Sequence, residues 1–443
     1  MAEVKTKPVT TPGSPTTKKP FNRTSNQNGK IILLAVLAVF FIAFPFISKP
    51  FLELFGPTVF GDTFAAVNST LIFVLLALGL NIVVGYAGLL DLGYAAFFAI
   101  GAYTMGFLTA HQSPLYDTFH TNFWIALPIS FLMAALFGVL LGAPTLGLRG
   151  DYLAIVTLGF GEIVPITFRN LTQVTKGDTG LAGMDQPNLF GFQFTASTIE
   201  AWYLVALLVV FFSIFMIRRL INSRIGRAWM AMREDEIAAS SMGIDLVKTK
   251  LLAFGLGASF AGFAGAIFAN SLGSANPSQF QFDVSVLVLS MIILGGLGNI
   301  WGVIFGAVVL AMSDRYIIPF LTGQVKNFAD SIQLDSKLVD GVLTTQPNAF
   351  KDIMTNVGTN SRLLVFGLVL VTMMLLRPEG LFPSGRRKME LHRGDPTDLQ
   401  PFVSVSSDPL EQADETHSLS FNPSVTEETE GPHKSDEHDR KKS

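Results

Sequence analysis

Two carboxylates sit where carboxylates are expensive. Asp91 lies in GYAGLLDLGYAAFFAIGAY (85–103) and Glu162 in LGFGEIVP (158–165), both within strongly apolar runs. An acid at the centre of a membrane-spanning helix costs about 2.5–3.5 kcal/mol on insertion scales, so it marks a task. Asp91 stands near one end of its run, where it either caps the helix that follows or faces a permeation pathway. Glu162 is closer to mid-run, flanked by Gly159, Gly161 and Pro165. Those neighbours permit a local break, at which the acid would contact a solute or hold adjacent helices. The turn GGLGNIWG (295–302) sets four glycines and Asn299 between two apolar runs. It reads as a tight hairpin or as unwound backbone lining a pathway. Together with Asn81 and Tyr94, on either side of Asp91, these residues form the pathway candidates: Asn81, Asp91, Tyr94, Glu162 and Asn299.

Other chemistry has nothing to stand on. The chain has no cysteine, which removes disulfides, thiolate metal sites and cysteine nucleophiles. Its six histidines (111, 120, 392, 417, 433, 438) fall in loops or tails without metal-ligand spacing, and His111 and His120 read as solvated. No phosphate-binding G-x-x-x-x-G-K-[ST] loop, G-x-S-x-G elbow or H-E-x-x-H pair is present. The expectation is therefore no catalytic residue, no metal and no cofactor. A net charge of −3 gives no reason for a nucleic-acid partner.

The elements that must position these residues are membrane spans. Hydrophobic residues make up 49% of the chain and charged ones 15%, against roughly 25% in soluble domains. Mean hydropathy is +0.46. A helix needs about 20 apolar residues to cross a hydrocarbon layer of ~30 Å. Ten segments approach that: roughly 31–48, 64–84, 87–109, 123–147, 152–168, 200–217, 249–272, 284–297, 299–318 and 362–377. Those at 87–109, 152–168 and 284–297 are short or interrupted, so partial or re-entrant spans remain open, and the even count is ten or eight. The expected fold is an all-α, polytopic helical bundle, with 31–48 a retained span.

Charge orients it. Residues 218–250 form a charged island with seven Lys/Arg (218, 219, 224, 227, 233, 248, 250) and four acids (234, 235, 236, 245) between two apolar runs. A cationic excess between spans marks the cytoplasmic side. The 1–30 tail and the stretch after Arg377 are also basic, whereas the 110–122 turn carries no Lys or Arg, which places both termini in the cytoplasm. Residues 319–361 form an external loop. Residues 1–30 and 383–443, rich in Pro, Ser, Thr and charge, cannot bury enough surface to order and read as disordered tails, the second acidic. Within the island, a short polar helix with Trp229, Met232 and Ile237 to bury suits docking onto another protein. Small residues four apart (Gly257, Ala261, Gly265; Gly302, Gly306) suit close helix packing. Five spans on each side of residue 195 would permit an inverted repeat, though the residues show none.

Five blocks carry a resemblance: NIVVGYAGLLDLGYAAFFAIGAY (81–103), LRGDYLAIVTLGFGEIV (148–164), SRIGRAWMAMREDEIAASSMGI (223–244), LGGLGNIWG (294–302) and LLRPEGLFP (375–383). In that order, over about residues 64–382, they resemble the LivM-like permeases of branched-chain amino-acid ABC importers. The resemblance implies an inner-membrane subunit that pairs with a LivH-like permease, two ATPase subunits and a periplasmic substrate-binding protein. The 223–244 block would then be the coupling segment, with Arg227, Arg233, Glu234, Asp235, Glu236, Ala238, Ala239 and Gly243 as its candidates. The E-A-A-x-x-x-G pattern of importer permeases is met at Ala238, Ala239 and Gly243. The acid position holds Ile237, and Glu236 comes one residue earlier. Within the class, a urea or short-amide importer is the alternative; outside it, an ATP-independent channel or secondary transporter.

Overall fold

The computed structural model describes residues 63–114, 116–145, 151–189, 192–194 and 199–317, together with 367–368, 371–373, 375 and 380–382. The chain divides into units Met1–Glu390 and Leu391–Ser443, and every described residue belongs to the first. Both tails, the span expected at 31–48, the 319–361 loop and most of the span at 362–377 lie outside the described residues.

Within these limits the fold is helical. The main elements are α1 (Thr63–Leu80), α2 (Tyr94–Thr109), α3 (Phe123–Thr145), α4 (Asp151–Asn170), α5 (Ile199–Ile221), α6 (Arg224–Glu234), α7 (Glu236–Ser241), α8 (Leu246–Leu272), α9 (Phe282–Gly295) and α10 (Ile300–Met312). A π-helical turn, Asn81–Tyr86, prolongs α1, and a second, Ser313–Ile317, prolongs α10. Among the described residues, six stretches have the length and apolarity to cross a membrane: 65–86, 123–145, 152–170, 201–221, 246–272 and 277–295. The apolar α2 is shorter, at 16 residues.

Three expectations about the spans change in detail. The run expected as 87–109 begins its helix only at Tyr94, because residues 87–93 form an irregular turn around Asp91. The break foreseen around Glu162 does not occur, since α4 runs unbroken from Asp151 to Asn170 with Pro165 inside it. Membrane-spanning helices can accommodate an internal proline without ending. The 299–318 run is an α-helix for 13 residues and then widens into the π turn.

Two helices are central. Along their apolar windows α1 is 78% buried and α8 72%, whereas α3 and α4 are each only 28% buried and present apolar side chains outward. The small-residue stripe of α8 makes its crossings close. A β-carbon on Gly257 would lie 2.3 Å from the Val83 side chain, and one on Gly265 would lie 2.1 Å from the Phe98 carbonyl oxygen. Gly306 likewise meets Met291 O, at 2.3 Å, where α10 crosses α9. Without water to squeeze out between helices, such backbone proximity is what dispersion and packing need.

The two ends of the bundle differ. At one end lie α6 and α7, the turn after α1 and the α9–α10 turn. At the other, short antiparallel pairs form a cover: β1 (Leu181–Ala182) with β4 (Ser274–Ala275), and the hairpin β2 (Asn188–Leu189) with β3 (Phe192–Gln193). An isolated bridge joins Ala110 to Met184.

Candidate functional site

The charged island folds into α6, α7 and the start of α8, and each start is capped by its own sequence. The Ser223 hydroxyl accepts from the Ile225 and Gly226 N–H groups, the Asp235 carboxylate from Ile237 and Ala238, and Asp245 from Lys248 at 3.1 Å. Such caps satisfy donors that a helix start leaves unpaired. The bonds from Lys248, backbone first and ammonium second, hold the Asp245 carboxyl below its usual range.

One face of α6 is buried. Trp229 is fully enclosed and donates its indole N–H to the Thr249 carbonyl at 2.9 Å, and Met232 packs beside it. Arg233, one helical turn after Trp229, points inward too. Its Nη1 donates to the Gly85 carbonyl oxygen at 2.6 Å, and its stem lies along Gly88, where a β-carbon would meet Arg233 Cγ at 2.7 Å. Lys250, nearly buried, holds Glu236 Oε1 at 2.7 Å. The opposite face is open: Arg227, Glu234, Asp235 and Ala238 are exposed, as are Ile237 (69%) and Met242 (83%). Gly243, at φ +81° and with free space around it, ends the segment in a left-handed conformation that suits glycine. The eight coupling candidates thus divide. Arg227, Glu234, Asp235, Ala238 and Gly243 face outward, while Arg233, Glu236 and Ala239 fasten the segment to the bundle.

The pathway candidates do not form one cluster: Asn81 and Asn299 meet at one junction, Asp91 and Tyr94 share the turn before α2, and Glu162 stands apart. Asn81 is fully buried in the π-helical turn, and its Oδ1 accepts the Gly298 N–H at 3.0 Å. Asn299 caps α10 through Trp301 N–H and donates from Nδ2 to the Phe382 carbonyl at 2.8 Å. The glycine turn is therefore a tight junction that also seats residues 380–382, with Leu381 N–H on Leu294 O and Phe382 N–H on Gly295 O. Tyr94 spends its hydroxyl on the Gly257 carbonyl of α8, at 2.9 Å.

Asp91 does not cap α2 by a side-chain bond to the helix; the N-cap is Gly93. Its Oδ1 instead accepts the Gly93 N–H at 2.9 Å, within the turn. Its Oδ2 is buried without a hydrogen-bond partner among the described residues and borders a cavity of about 10 Å³ lined by Thr157, Phe97, Gly142 and Phe254. That is the space of a single water. Thr157 also accepts the Leu92 N–H at 3.1 Å, so the turn is seated on α4. Glu162 behaves differently. It is exposed on α4, and Ile155, Gly159, Glu162 and Ile166 follow one another at helical spacing on its outward face. A β-carbon at Gly159 would meet nothing within 4 Å.

At the opposite end, His111 and His120 are not merely solvated. Both Nε2 atoms contact the Asp185 carboxylate, His111 at 2.9 Å and His120 on the other oxygen, with the Tyr116 ring against both imidazoles. Nothing in the nine-residue histidine spacing or in the distant Asp185 pointed to this. Among the described residues no group of three or more His, Cys, Asp or Glu is arranged to hold a metal. The Gly85–Arg233 contact was equally hidden, although the glycines of GYAG leave room for it.

Residues 63–374 match the family model of the branched-chain amino acid transport system permease component. The chain is 39% identical over 391 residues to the high-affinity branched-chain amino acid transport system permease protein LivM of Escherichia coli K12, covering 84% of this chain and 79% of the relative. It is 25% identical to a probable LivM of Methanocaldococcus jannaschii (70% of this chain, 90% of the relative). It is also 24% identical to LivH of Salmonella typhimurium (62% and 88%). No solved structure matches. This chain belongs to the family of branched-chain amino acid transport system permease components.

Proposed function

We propose that this chain is one of two permease subunits of an ATP-driven importer of branched-chain and related neutral amino acids in the bacterial inner membrane. Its similarity to both LivM and LivH supports a partner permease of the same fold, LivH-like, facing it across the pathway. Two ATPase subunits would bind the end that carries α6 and α7, and a periplasmic binding protein the end that carries β1–β4. ATP hydrolysis belongs to the partners. Both termini lie on the ATPase side in this reading.

The observation that carries it is the outward face of α6 and α7. Two capped helices are fixed to the bundle by Trp229, Arg233 and Lys250, and they present Ile237 and Met242 among exposed charges. A rigid, half-apolar knob suits transmission of a partner's movement better than solvation. Arg227, Glu234, Asp235, Ala238 and Gly243 form the docking surface, while Glu236 and Ala239 seat it.

Glu162 supports the pathway. An exposed acid amid Ile155 and Ile166 on a spanning helix is costly against lipid, by about 2.5–3.5 kcal/mol at the centre. That face of α4 is better placed against water and the partner permease, with Glu162 available to a zwitterionic solute's ammonium. Asn81, Asp91, Tyr94 and Asn299 act behind it, holding the helices that shape the pathway.

The test is uptake of labelled leucine, alanine and urea by proteoliposomes holding this chain with or without its partner permease, ATPases and binding protein. ATP-dependent leucine uptake by the complete assembly alone is the expected result. Urea uptake alone would shift the substrate to short amides, and ATP-indifferent transport by this chain alone would leave a channel or secondary transporter.

A further inference from the structure

The π-helical turn at the end of α1 is where three separate segments meet. Helix carboxyl ends leave carbonyls without intrahelical donors and carry the negative end of the helix dipole. Here a guanidinium arrives from a segment 148 residues later to take Gly85 O. The same turn receives the α9–α10 junction, since Asn81 Oδ1 accepts Gly298 N–H. The fit leaves no slack. A β-carbon on Gly85 would lie 2.0 Å from Asn81 Oδ1 and 2.7 Å from Gly298 N, and one on Gly298 would lie 3.2 Å from Gly85 O and 3.4 Å from Arg233 Nη1. π turns are rare and recur at functional positions, where the wider turn re-aims backbone groups.

α6 therefore has two grips on one face. Trp229 holds Thr249 of α8, and Arg233, four residues on, holds Gly85 at the end of α1. α1 and α8 are the two most buried of the long spans among the described residues, so a tilt of α6 would act on the centre of the bundle. The junction at Gly298 extends the reach to α9, α10 and, through Leu294 O and Gly295 O, to residues 381–382.

We propose that Arg233 is a positioning residue of the transport cycle. It fastens α6 to the Gly85 carbonyl at the π-helical end of α1 and, beside Asn81 and Gly298, to the α9–α10 turn, so that one displacement of α6 reaches both. This departs from a direct Arg233–ATPase contact, and it rests on the reading of α6 and α7 as docking helices. A charge-assisted hydrogen bond at a half-buried, closely packed junction resists the small shifts that a flexible contact would absorb. Packed elements of this kind can carry coupling energy from a docking helix into a bundle.

The experiment uses the complete transporter in proteoliposomes and reads leucine uptake and ATP hydrolysis on the same samples. Arg233→Met keeps the stem and removes the donors, Arg233→Lys restores one, and Asn81→Ala cuts the Gly298 bond from the other side. Uptake per ATP hydrolysed should fall roughly ten-fold in Arg233→Met, recover partly in Arg233→Lys, and fall in Asn81→Ala. A ratio equal to that of the unaltered chain in both Arg233→Met and Asn81→Ala would overturn the proposal. Should Arg233→Met not assemble, Arg233→Gln, which keeps a donor without the charge, is read for the same ratio, and an unaltered ratio there would equally overturn the proposal. The docking reading is judged separately by Ile237→Glu with Met242→Glu, which should lose ATPase subunits on purification. Retention of those subunits with normal uptake would remove the docking surface, while the Arg233 ratio would still report the internal junction.

Discussion

Replacing Glu236 by Gln should loosen α7 by an amount the Lys250 environment sets. The Lys250 side chain is only 6% exposed and its Nζ sits 2.7 Å from Glu236 Oε1, which is itself 27% exposed. Breaking a fully buried pair by removing one partner costs about 3–5 kcal/mol, because the remaining charge stays buried. Solvent reaching Glu236 lowers this to about 2 kcal/mol, or roughly a 30-fold rise in the local opening constant. Hydrogen exchange of residues 236–242 in the detergent-solubilised complex reads that opening directly. The reasoning makes a second demand. Adding Lys250→Met to Glu236→Gln removes the stranded ammonium and should return most of the protection. If the double variant exchanges as fast as Glu236→Gln, the stranded charge is not the cause. If Glu236→Gln alone leaves exchange unchanged, the pair contributes nothing to seating α7.

Three further outcomes follow from the site. Gly243→Val forces a branched side chain into φ +81°, at about 1–2 kcal/mol; uptake should fall while membrane insertion, scored by protease accessibility, is kept. Glu162→Gln should change leucine uptake with undiminished assembled protein on size-exclusion chromatography, and an assembly defect alone would instead make Glu162 a helix-packing residue. Asp185→Asn weakens both histidine contacts at the β1–β4 end, each worth about 0.2–1 kcal/mol, so exchange at residues 183–185 should quicken a few-fold; unchanged rates would mean the cluster does not order that loop.

Much of the bundle was legible because apolar length is a strong signal in one dimension. The runs at 64–84, 123–147, 200–217 and 249–272 all recur as helices within a few residues of their bounds. The island was legible as a charged segment between spans, but its division into three helix starts capped by Ser223, Asp235 and Asp245 emerged only from the fold. What one dimension could not supply was direction. Eight island residues read as a set, but three of them turn inward, and only the tertiary position of Gly85 and Lys250 says which. Glycines misled in one place and informed in another. Around Glu162 they suggested a break, yet α4 is continuous and Gly161 instead lets Gly93 of the Asp91 turn approach closely; in the 295–302 turn they marked a junction. The interruption at the Asp91 turn was legible from the acid and its glycines, whereas the delay of the helix to Tyr94 was not.

That turn bears on how the protein is made. α2 spans 16 residues, about 24 Å of helix against a hydrocarbon layer of ~30 Å. Its start is held by Thr157 on Leu92 N–H, by Gly257 on the Tyr94 hydroxyl and by Ser285 on Ala95 N–H, partners 65, 163 and 190 residues further along the chain. A nascent chain that has just emitted α1 and α2 has none of them. The polar groups at the head of α2 must therefore wait, hydrated at the membrane surface or sheltered by the insertion machinery, until residue 285 has been synthesised. Completion of that turn is therefore long-range, drawing on α4, α8 and α9.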